Sequence, residues 1–444
     1  MPHTVPSGDM LLQNWWYTTL LNSKTDYCPP LKEHMETDVL VVGAGMAGLH
    51  AALRLVEAGK NTVLVERNIC GGSSTGKSAG FLTPDSELEL HQILRRYGLE
   101  DGAKVWNIAV EGVKRVVANV TQYQMKCDLL EQDSLFVGLG KAGKKSVYEE
   151  AAAFQKIGYP TQVYEGAALK RINPGKGYMA GIRTGKTYAV NPLLYAQELK
   201  RILVQKGVRI YEGTPVTHME GHKACTHMGS VTAKNIIFCI DKMRPTVSRI
   251  SEQVYHAQTF LTISEPLDPN EIKQLFPEGD FMCWDSKLVY SYYRLTGDKR
   301  ILLGGGSPLT TFLPLDVTSP TVIKRVIRDF KNRFPFLKHQ EFMQYWPGRI
   351  DTTKDLVPIV THDPKSPYIQ YVLGCVGLPW ATFCGDYAAR KVLDPTLQSH
   401  DKFLRIDRPF FVPMPLQKLM GKMTAFSFNI LYSKYFQKNR KRSA

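Results

Sequence analysis

Three glycines near the start of the chain have a spacing that suits phosphate binding. Gly43, Gly45 and Gly48 stand in the sequence Gly-Ala-Gly-Met-Ala-Gly, with Met46 and Ala47 between the last two. The first glycine permits a tight turn, the second lets a pyrophosphate approach the backbone, and the third lets the following helix pack closely on a strand. Backbone amides and the positive end of that helix then hold the phosphates. The motif therefore predicts a dinucleotide site, provided that a strand precedes it and a helix follows.

The elements around the glycines meet that condition. Residues 37–42 form a β-branched apolar run typical of a buried parallel strand, and residues 48–58 have the apolar periodicity of a helix. A second buried strand at 62–65 ends in Glu66, whose carboxylate is placed to accept hydrogen bonds from the adenosine ribose. This βαβ unit favours an adenine dinucleotide without a 2′-phosphate. A tight glycine turn without a ligand is the alternative.

A loop of small residues follows this acid and predicts which dinucleotide is bound. It runs from Gly71 to Phe81 and is rich in hydroxyl and amide donors, with one cation. Such a loop lets a large planar ring and its ribityl chain lie against the backbone, which favours a flavin. A flexible surface loop is the alternative interpretation. The candidate cofactor-binding residues in this part of the chain are Arg67, Ser73, Ser74, Lys77, Ser78, Ala79 and Gly80.

Helical and strand patterns alternate along the rest of the chain. Helices are predicted at 195–205 and 384–393, strands at 208–211, 234–240 and 368–373, and an antiparallel sheet over 255–305. This order predicts a nucleotide-binding domain built from separated pieces, with an antiparallel domain inserted between them. The predicted divisions are an irregular N-terminal arm (1–36), three parts of the nucleotide-binding domain (36–115, 185–245 and 346–400), a cap segment (116–184), an antiparallel substrate domain (246–345) and a C-terminal segment (401–444).

The composition excludes several classes of protein. The chain has 444 residues, of which 43% are hydrophobic, so it is globular rather than disordered. No stretch approaches the roughly 18 consecutive apolar residues that a membrane-spanning helix needs. The eight cysteines form no C-x-x-C pair and the eleven histidines lack metal-ligand spacing, so reduced thiols and no metal site are expected. A cytoplasmic location is expected because no signal or transit peptide is visible.

The positive charge is concentrated at the C-terminal end. The net charge is +15, and residues 401–444 contain ten basic and two acidic residues. A basic C-terminal segment on a chain whose other residues are nearly balanced in charge favours a peripheral membrane tether over a nucleic-acid groove. No nucleic-acid partner is therefore expected. Apolar residues from Leu416 to Ile430 recur at helical spacing before a basic end of Lys438, Arg440, Lys441 and Arg442. This amphipathic helix either lies on a membrane surface or packs on the core of the protein.

The order of these motifs resembles the D-amino acid oxidase-like superfamily, above all its gamma-glutamylputrescine oxidase-like branch, over about residues 36–395. Further motifs that carry the resemblance are Tyr293-Arg294, Trp346-Pro347-Gly348-Arg349 and the turn Gly374-Cys375-Val376-Gly377. It implies FAD and an α/β fold of the glutathione reductase/D-amino acid oxidase type. That fold has a Rossmann-like FAD-binding domain and an antiparallel-sheet substrate domain, followed here by a C-terminal amphipathic helix. The resemblance places Val216 beside the adenine, and Gly348, Gly374, Val376, Gly377 and Leu378 near the flavin.

Two departures from the family pattern limit what the resemblance implies. Leu378, Pro379 and Trp380 follow Gly377, where relatives often have a histidine and a glycine. The resemblance therefore does not indicate which substrate this chain uses. Relatives with covalent flavin carry a histidine in the small-residue loop or a cysteine near the tryptophan segment. Lys77 and Gly348 stand approximately at those places here, which favours noncovalent FAD.

The resemblance implies oxidation of the C–N bond of an amine or amino acid by hydride transfer to flavin N5, giving an imine. Oxygen, a quinone or another acceptor would then take the electrons. The flavin supplies the electronics and the protein supplies position and desolvation, so no acid–base pair is required. The candidate catalytic residues are Arg294 and Arg349 as anchors for a substrate carboxylate, and Lys77 as a partner of the anionic reduced flavin. Structural ion pairs and a phosphate contact are the alternatives.

Two other functions remain open. The altered residues after Gly377 are compatible with a flavin-containing binding protein without turnover. A flavin monooxygenase reduced by a nicotinamide nucleotide would need a second dinucleotide site. Gly304, Gly305 and Gly306 follow a strand pattern, but no acid-terminated βαβ unit comes after them.

Overall fold

Two large β-sheets with packed helices form the chain in the computed structural model, which describes residues 10–23, 25–85, 87–241, 247, 249–311, 317–408 and 411–437. The strands are β1 Leu11–Leu12, β2 His34–Val42, β3 Thr62–Val65, β4 Phe81–Leu82, β5 Leu130–Glu131, β6 Asp133–Leu139, β7 Gln162–Glu165, β8 Tyr178–Thr184, β9 Tyr188–Ala189, β10 Arg209–Tyr211, β11 His218–Glu220, β12 Lys223–Cys225, β13 Ser230–Phe238, β14 Val254–Pro266, β15 Phe281–Asp285, β16 Tyr292–Leu295, β17 Arg300–Gly305, β18 Phe342–Thr353, β19 Ile359–His362 and β20 Ile369–Leu373. The helices are α1 Trp15–Leu21, α2 Met46–Glu57, α3 Leu90–Tyr97, α4 Leu99–Tyr123, α5 Gly140–Lys156, α6 Gly166–Ile172, α7 Pro192–Gln205, α8 Pro269–Leu275, α9 Thr321–Arg333, α10 Leu378–Leu393, α11 Asp401–Leu404, α12 Met414–Met420 and α13 Lys422–Leu431. Short 3₁₀ turns lie at Thr75–Lys77, Arg249–Gln253 and Pro335–Leu337, and a π-turn lies at Tyr432–Phe436.

The first sheet forms around the predicted βαβ unit. Its strands β10, β3, β2 and β13 are adjacent and parallel, and β20 pairs in parallel with the end of β13. One face packs on α2, α4 and α10, and the other face is also buried, which explains why all four residues of β3 are buried and three of them are apolar. The predicted strand at 62–65 is confirmed. The predicted helix at 48–58 is also present and begins at Met46.

The second sheet has, among the described residues, the strand order β1-β18-β14-β17-β16-β15-β6-β8-β7. The long pair β14 and β18 is antiparallel, with Gln258 opposite Arg349 and Thr259 opposite Gly348. The antiparallel sheet predicted over 255–305 is therefore confirmed, although β15 pairs in parallel with β6. One face of this sheet packs on α9 in an aromatic-rich core. The remaining strands β4, β9 and β5 form a small third sheet.

The N-terminal arm is more ordered than the sequence indicates. Strand β1 pairs in parallel with β18, and Asn14 caps α1 by accepting from the Trp16 amide. The Asn14 side chain also donates to the Gly76 carbonyl at 2.6 Å. Trp16 is 2% exposed. The prediction of an irregular arm is therefore wrong for these residues, because a buried tryptophan and a buried cap attach them to the small-residue loop.

Three sequence-based boundaries differ from the structure. The division at 115/116 falls inside α4, and the division at 345/346 falls inside β18. Helix α10 begins at Leu378 instead of 384, since the residues of the altered turn form its first turn. The other predicted domain divisions remain predictions.

Residues 414–431 of the C-terminal segment form two short helices, α12 and α13, instead of one continuous amphipathic helix, with Gly421 between them. Phe426 and Ile430 are buried in the core, and the Phe426 ring stacks on Tyr255 at 4.7 Å. One face of the segment therefore packs on the protein itself. The basic end at Lys438, Arg440, Lys441 and Arg442 lies outside the described residues.

No helix within the described ranges is both long and apolar enough to cross a membrane.

A buried ion cluster attaches the C-terminal segment to the fold. The Asp355 carboxylate accepts from Arg408 Nε at 2.8 Å and Arg408 Nη2 at 2.9 Å, and it also pairs with Arg96 of α3. Burial alone would raise the pKa of Asp355, but Arg408 and then Arg96 hold that pKa well below its usual range. These ion pairs of Asp355 therefore stabilise the fold at neutral pH. Their contribution is lost only as the pH falls through the low pKa that Asp355 has in the folded protein.

Replacing Asp355 by alanine would leave two buried guanidinium groups without their carboxylate. We expect Asp355→Ala to lower the free energy of unfolding by about 3–5 kcal/mol, measured by chemical denaturation. Asp407→Ala is the matched control, because Asp407 pairs with Arg405 on the surface and should matter by less than about 1 kcal/mol. Equal effects of the two substitutions would contradict the role given to Asp355.

Candidate active site

A cavity of about 650 Å³ lies at the carboxyl ends of the parallel strands β2, β3, β13 and β20. Ligand sites of open α/β sheets occur at this edge, and the volume is within the ~300–1,000 Å³ usual for cofactor pockets. The cavity brings together fourteen of the predicted cofactor-binding residues, namely Gly43, Gly45, Met46, Ala47, Glu66, Arg67, Ser73, Ser74, Ser78, Val216, Gly374, Val376, Gly377 and Leu378.

The glycine turn has the geometry that its sequence predicts. Gly43 has a positive φ of 99°, and a Cβ there would lie 2.5 Å from the Cys239 carbonyl oxygen. A Cβ on Gly48 would lie 1.8 Å from the Gly43 carbonyl oxygen, so any larger residue would push α2 off the turn. Gly48 therefore sets the packing of α2 from outside the cavity lining, and the start of α2 faces the cavity.

Glu66 lies at the end of β3 and lines the cavity. Its Oε2 accepts from the Ala44 amide at 2.8 Å and its Oε1 from the Asn68 amide at 2.9 Å. Burial raises the pKa of Glu66, while the two amides and Arg67 lower it. Fixed in this way beside the glycine turn, the carboxylate can also accept from ribose hydroxyls.

Asp241 is a site residue that the sequence reasoning missed. Its carboxylate accepts from the Ser73 and Ser74 hydroxyls, each at 2.6 Å, and from Arg67 at 3.2 Å. It lies in the cavity lining, three residues beyond the end of β13. Its position at the end of a buried parallel strand next to β2 is the signal that could have found it. Asp241 attaches the small-residue loop to the first sheet.

The second half of the loop is attached to other parts of the chain. The Lys77 carbonyl accepts from the Trp346 indole at 3.2 Å, and the Ser78 carbonyl accepts from the Trp16 indole at 2.8 Å. Gly348 lies against Lys77, since its Cβ would be 3.5 Å from the Lys77 carbonyl oxygen. Lys77, Ala79, Gly80 and Gly348 lie outside the cavity lining. The hydrogen bonds from Trp346 and Trp16 contradict the alternative interpretation of a flexible surface loop.

Arg294 does not bind in the cavity as the sequence suggested. It is 2% exposed, and its guanidinium donates to the carbonyls of Ala79 (2.7 Å), Val190 (2.9 Å) and Leu295 (3.3 Å). Burial lowers its pKa to about 9, with Asp128 and Asp298 opposing the shift. Because backbone carbonyls surround the guanidinium, this geometry contradicts the carboxylate-anchor role and indicates that Arg294 holds the loop to β16.

Arg349 lies on β18 at the border of the cavity. Its carbonyl accepts from the Ser74 hydroxyl at 2.9 Å. The two residues that follow it, Ile350 and Asp351, are in the described cavity lining, and Arg349 is not. Asp351 is paired with His256 at 2.7 Å. The segment predicted from Trp346 to Arg349 therefore lies outside the lining, and the two residues that follow it belong to the lining.

Two cysteines, Cys239 and Cys375, also line the cavity and were not among the predicted site residues. Burial raises the pKa of the Cys239 thiol, and Cys375 raises it further. Cys239 is therefore a protonated thiol with little nucleophilic character.

The altered turn at Leu378, Pro379 and Trp380 forms the start of α10. Gly377 and Leu378 line the cavity, whereas Trp380 is 1% exposed and packs in the core. The positive end of the α10 dipole therefore faces the cavity. Pro379 has no amide hydrogen, so this helix end offers fewer donors than an ordinary first turn.

A second, smaller cavity of about 50 Å³ adjoins the first through Ile350, which lines both. Its walls come from the second sheet and from the C-terminal segment. The polar and aromatic residues among them are Glu87, Thr259, Tyr290, Tyr292, Thr311, Thr352, Phe426 and Lys434.

Removing the Glu66 side chain should weaken the binding of FAD. We expect Glu66→Ala to raise the dissociation constant roughly 10–100-fold, because a charge-assisted hydrogen bond contributes about 1.5–3 kcal/mol. Titration of the apoprotein with FAD measures this change. Glu100→Ala, at an exposed glutamate of α4, is the control. Unchanged affinity in Glu66→Ala would contradict the ribose role.

Comparisons with known proteins agree with this geometry. The chain is 25% identical to the probable oxidoreductase OrdL of Haemophilus influenzae, over 93% of this chain and 94% of that protein. It is 26% identical to gamma-glutamylputrescine oxidoreductase of Escherichia coli, over 76% and 79%. The glycine oxidase structure from Geobacillus kaustophilus superposes with a TM-score of 0.72 at 16% identity, over 84% of this chain and 99% of that one. The family model for FAD dependent oxidoreductases matches residues 38–391. The chain therefore belongs to this family of FAD-dependent enzymes, the D-amino acid oxidase-like oxidoreductases.

Proposed function

We propose that this enzyme oxidises the C–N bond of an amine or amino acid to an imine. The small cavity carries the proposal, because it adjoins the FAD cavity through Ile350 and is walled by Tyr290, Tyr292 and Glu87. Aromatic faces and a carboxylate are suited to an amine. The names of gamma-glutamylputrescine oxidoreductase and glycine oxidase among the similar proteins support the same reaction class.

In that reaction, the residues of this chain would bind FAD and the substrate and orient them. FAD, when bound, would supply an acceptor for the hydride of the substrate carbon. The glycine turn and Glu66 would hold its adenosine and phosphate end, and the start of α10 at Leu378 would be available to its ring end. Lys77, on the loop beside Gly348, is proposed to stabilise negative charge at the edge of the reduced ring. The tyrosine walls exclude water from the reacting carbon.

Arg349 is the proposed anchor if the substrate carries a carboxylate. It is half-buried on β18 and directly precedes two residues of the cavity lining. A guanidinium there can form a bidentate pair with a carboxylate. Arg294 is not proposed for this role, because backbone carbonyls surround it.

We also propose that FAD is bound without a covalent link. Lys77 and Gly348 are both beside the FAD cavity, and neither is a residue that forms a flavin bond in relatives. The high pKa of Cys239 disfavours attack by that thiol.

Anaerobic mixing with amines tests the reaction class. We expect a primary amine or amino acid to bleach the visible flavin band, because electrons from the C–N bond reduce the ring. Reoxidation by oxygen compared with a water-soluble quinone then identifies the acceptor. Failure of every amine and amino acid in a broad panel would favour a binding protein. Rapid bleaching by a reduced nicotinamide nucleotide alone would favour a monooxygenase.

We propose further that the outer face of the C-terminal segment contacts a membrane surface. Leu419 is 83% exposed and Phe436 is 68% exposed, whereas Phe426 is buried. Each basic residue near an anionic bilayer adds about 1 kcal/mol of attraction, and four such residues follow Gln437 in the sequence.

Vesicle sedimentation tests this contact. We expect the protein to pellet with phosphatidylserine vesicles and not with neutral ones, and the double variant Leu419→Ser/Phe436→Ser to pellet less while keeping its FAD. Leu309→Ser, at a residue 77% exposed outside the segment, is the control. If the wild-type protein stays in the supernatant, the membrane proposal is wrong.

A further inference from the structure

The C-terminal segment forms one wall of the small cavity. Phe426, Ile430 and Lys434 all line it, and they are spaced four residues apart along α13 and the π-turn. This spacing places the three side chains on one face of the segment. Arg95 of α3 donates to the carbonyls of Lys434 and Gln437, which holds the end of the segment in place.

Lys434 places its ammonium group in a cage made by an acid and an aromatic ring. The lysine is only 9% exposed. Its Nζ lies 3.8 Å from Glu87 Oε2 and 5.9 Å from the centre of the Tyr290 ring. The Tyr290 hydroxyl donates to Glu87 Oε1 at 3.0 Å and so orients the carboxylate. A carboxylate beside an aromatic face is a recognised arrangement for an ammonium group.

Asp85 and Glu89, which flank Glu87 in the sequence, form a cluster of carboxyl groups with Glu150. Carboxylate oxygens of Asp85, Glu89 and Glu150 lie within 4.8 Å of one another, and the Trp284 indole donates to Glu89 at 3.3 Å. Burial, and after it Glu150, raises the pKa of Asp85 to about 8. Burial also raises the pKa of Glu89, and Lys434 opposes that rise. Lys434 therefore interacts with Glu89 as well as with Glu87.

Lys434 belongs to the wall that keeps this cavity small. The cavity volume is about 50 Å³, whereas the adjoining cavity measures about 650 Å³. A cation that bound Glu87 beside Tyr290 would meet the Lys434 ammonium group already there. Such a cation has to displace Lys434 from Glu87.

We propose that Glu87 and Tyr290 form a cation subsite for substrates that carry a second positive charge beside the reacting amine, and that Lys434 occupies this subsite until such a substrate displaces it. The subsite rests on the proposed amine oxidation and specifies its substrate class. Lys434 then determines specificity, because a monoamine has no second cation with which to displace it.

Matched amines test the subsite. The probes are 1,4-diaminobutane and butylamine, and the readout is the kcat/KM of anaerobic flavin reduction. We expect the wild-type protein to prefer the diamine, and Glu87→Gln to reduce that preference about tenfold or more, since the charge-assisted contact is lost. Lys434→Met should lower the KM for the diamine because the competing cation is removed. Glu100→Gln and Lys104→Met, which alter an exposed pair at 2.7 Å, are the controls.

Hydrogen exchange provides a readout that does not need turnover. We expect 1,4-diaminobutane, and not butylamine, to accelerate amide exchange in residues 422–437 of the wild-type holoprotein, because the diamine releases Lys434. An unchanged exchange rate together with equal use of both amines would overturn the subsite. If neither amine reduces the flavin but the diamine still accelerates exchange, the subsite stands and the proposed reaction fails.

Discussion

The small-residue loop after β3 is attached to both large sheets, and this double attachment makes their edges into one site. On one side Asp241 accepts from two serine hydroxyls of the loop. On the other side Trp346 and Arg294 of the second sheet donate to loop carbonyls. A loop of small residues loses much conformational freedom on folding, so it keeps one shape only where its polar groups are paired. The position of the cavity wall therefore depends on residues far apart in the sequence.

The same attachment limits which groups could attract a phosphate. Asp241 pairs with Arg67, so Arg67 would offer little net positive charge to a pyrophosphate. The attraction would then come mainly from the amides of the glycine turn and from the positive end of α2, which need no side-chain cation. Arg294 differs from Arg67, because it is buried among backbone carbonyls and has no carboxylate on its guanidinium in the hydrogen bonds described above. A buried guanidinium loses much of its solvation, and the lowered pKa of Arg294, about 9, reflects that burial.

Local patterns predicted the βαβ unit and Glu66 because all the information lies within about thirty residues of sequence. The apolar runs, the glycine spacing and the terminal acid each follow from their own neighbours. The partners of Arg294 did not follow, since they depend on how β16 lies against a loop more than two hundred residues earlier. Trp16 was missed for the same reason, because its partner Ser78 is distant in the sequence. Asp241 follows a predicted strand, but its partners Ser73, Ser74 and Arg67 come from a distant part of the chain.

In the C-terminal segment, apolar periodicity alone is insufficient to predict which surface the helix packs on. Its apolar residues lie on both sides of α13, with Phe426 and Ile430 buried and Phe428 and Leu431 exposed at 46% and 38%. A helix that is apolar on both sides fits either a docked helix or a surface-bound one, so the sequence pattern left both open. The buried side packs on the core and encloses Lys434. The exposed side remains available for a surface. Because both sides belong to the same short helix, a contact that moves one side also moves the wall of the small cavity.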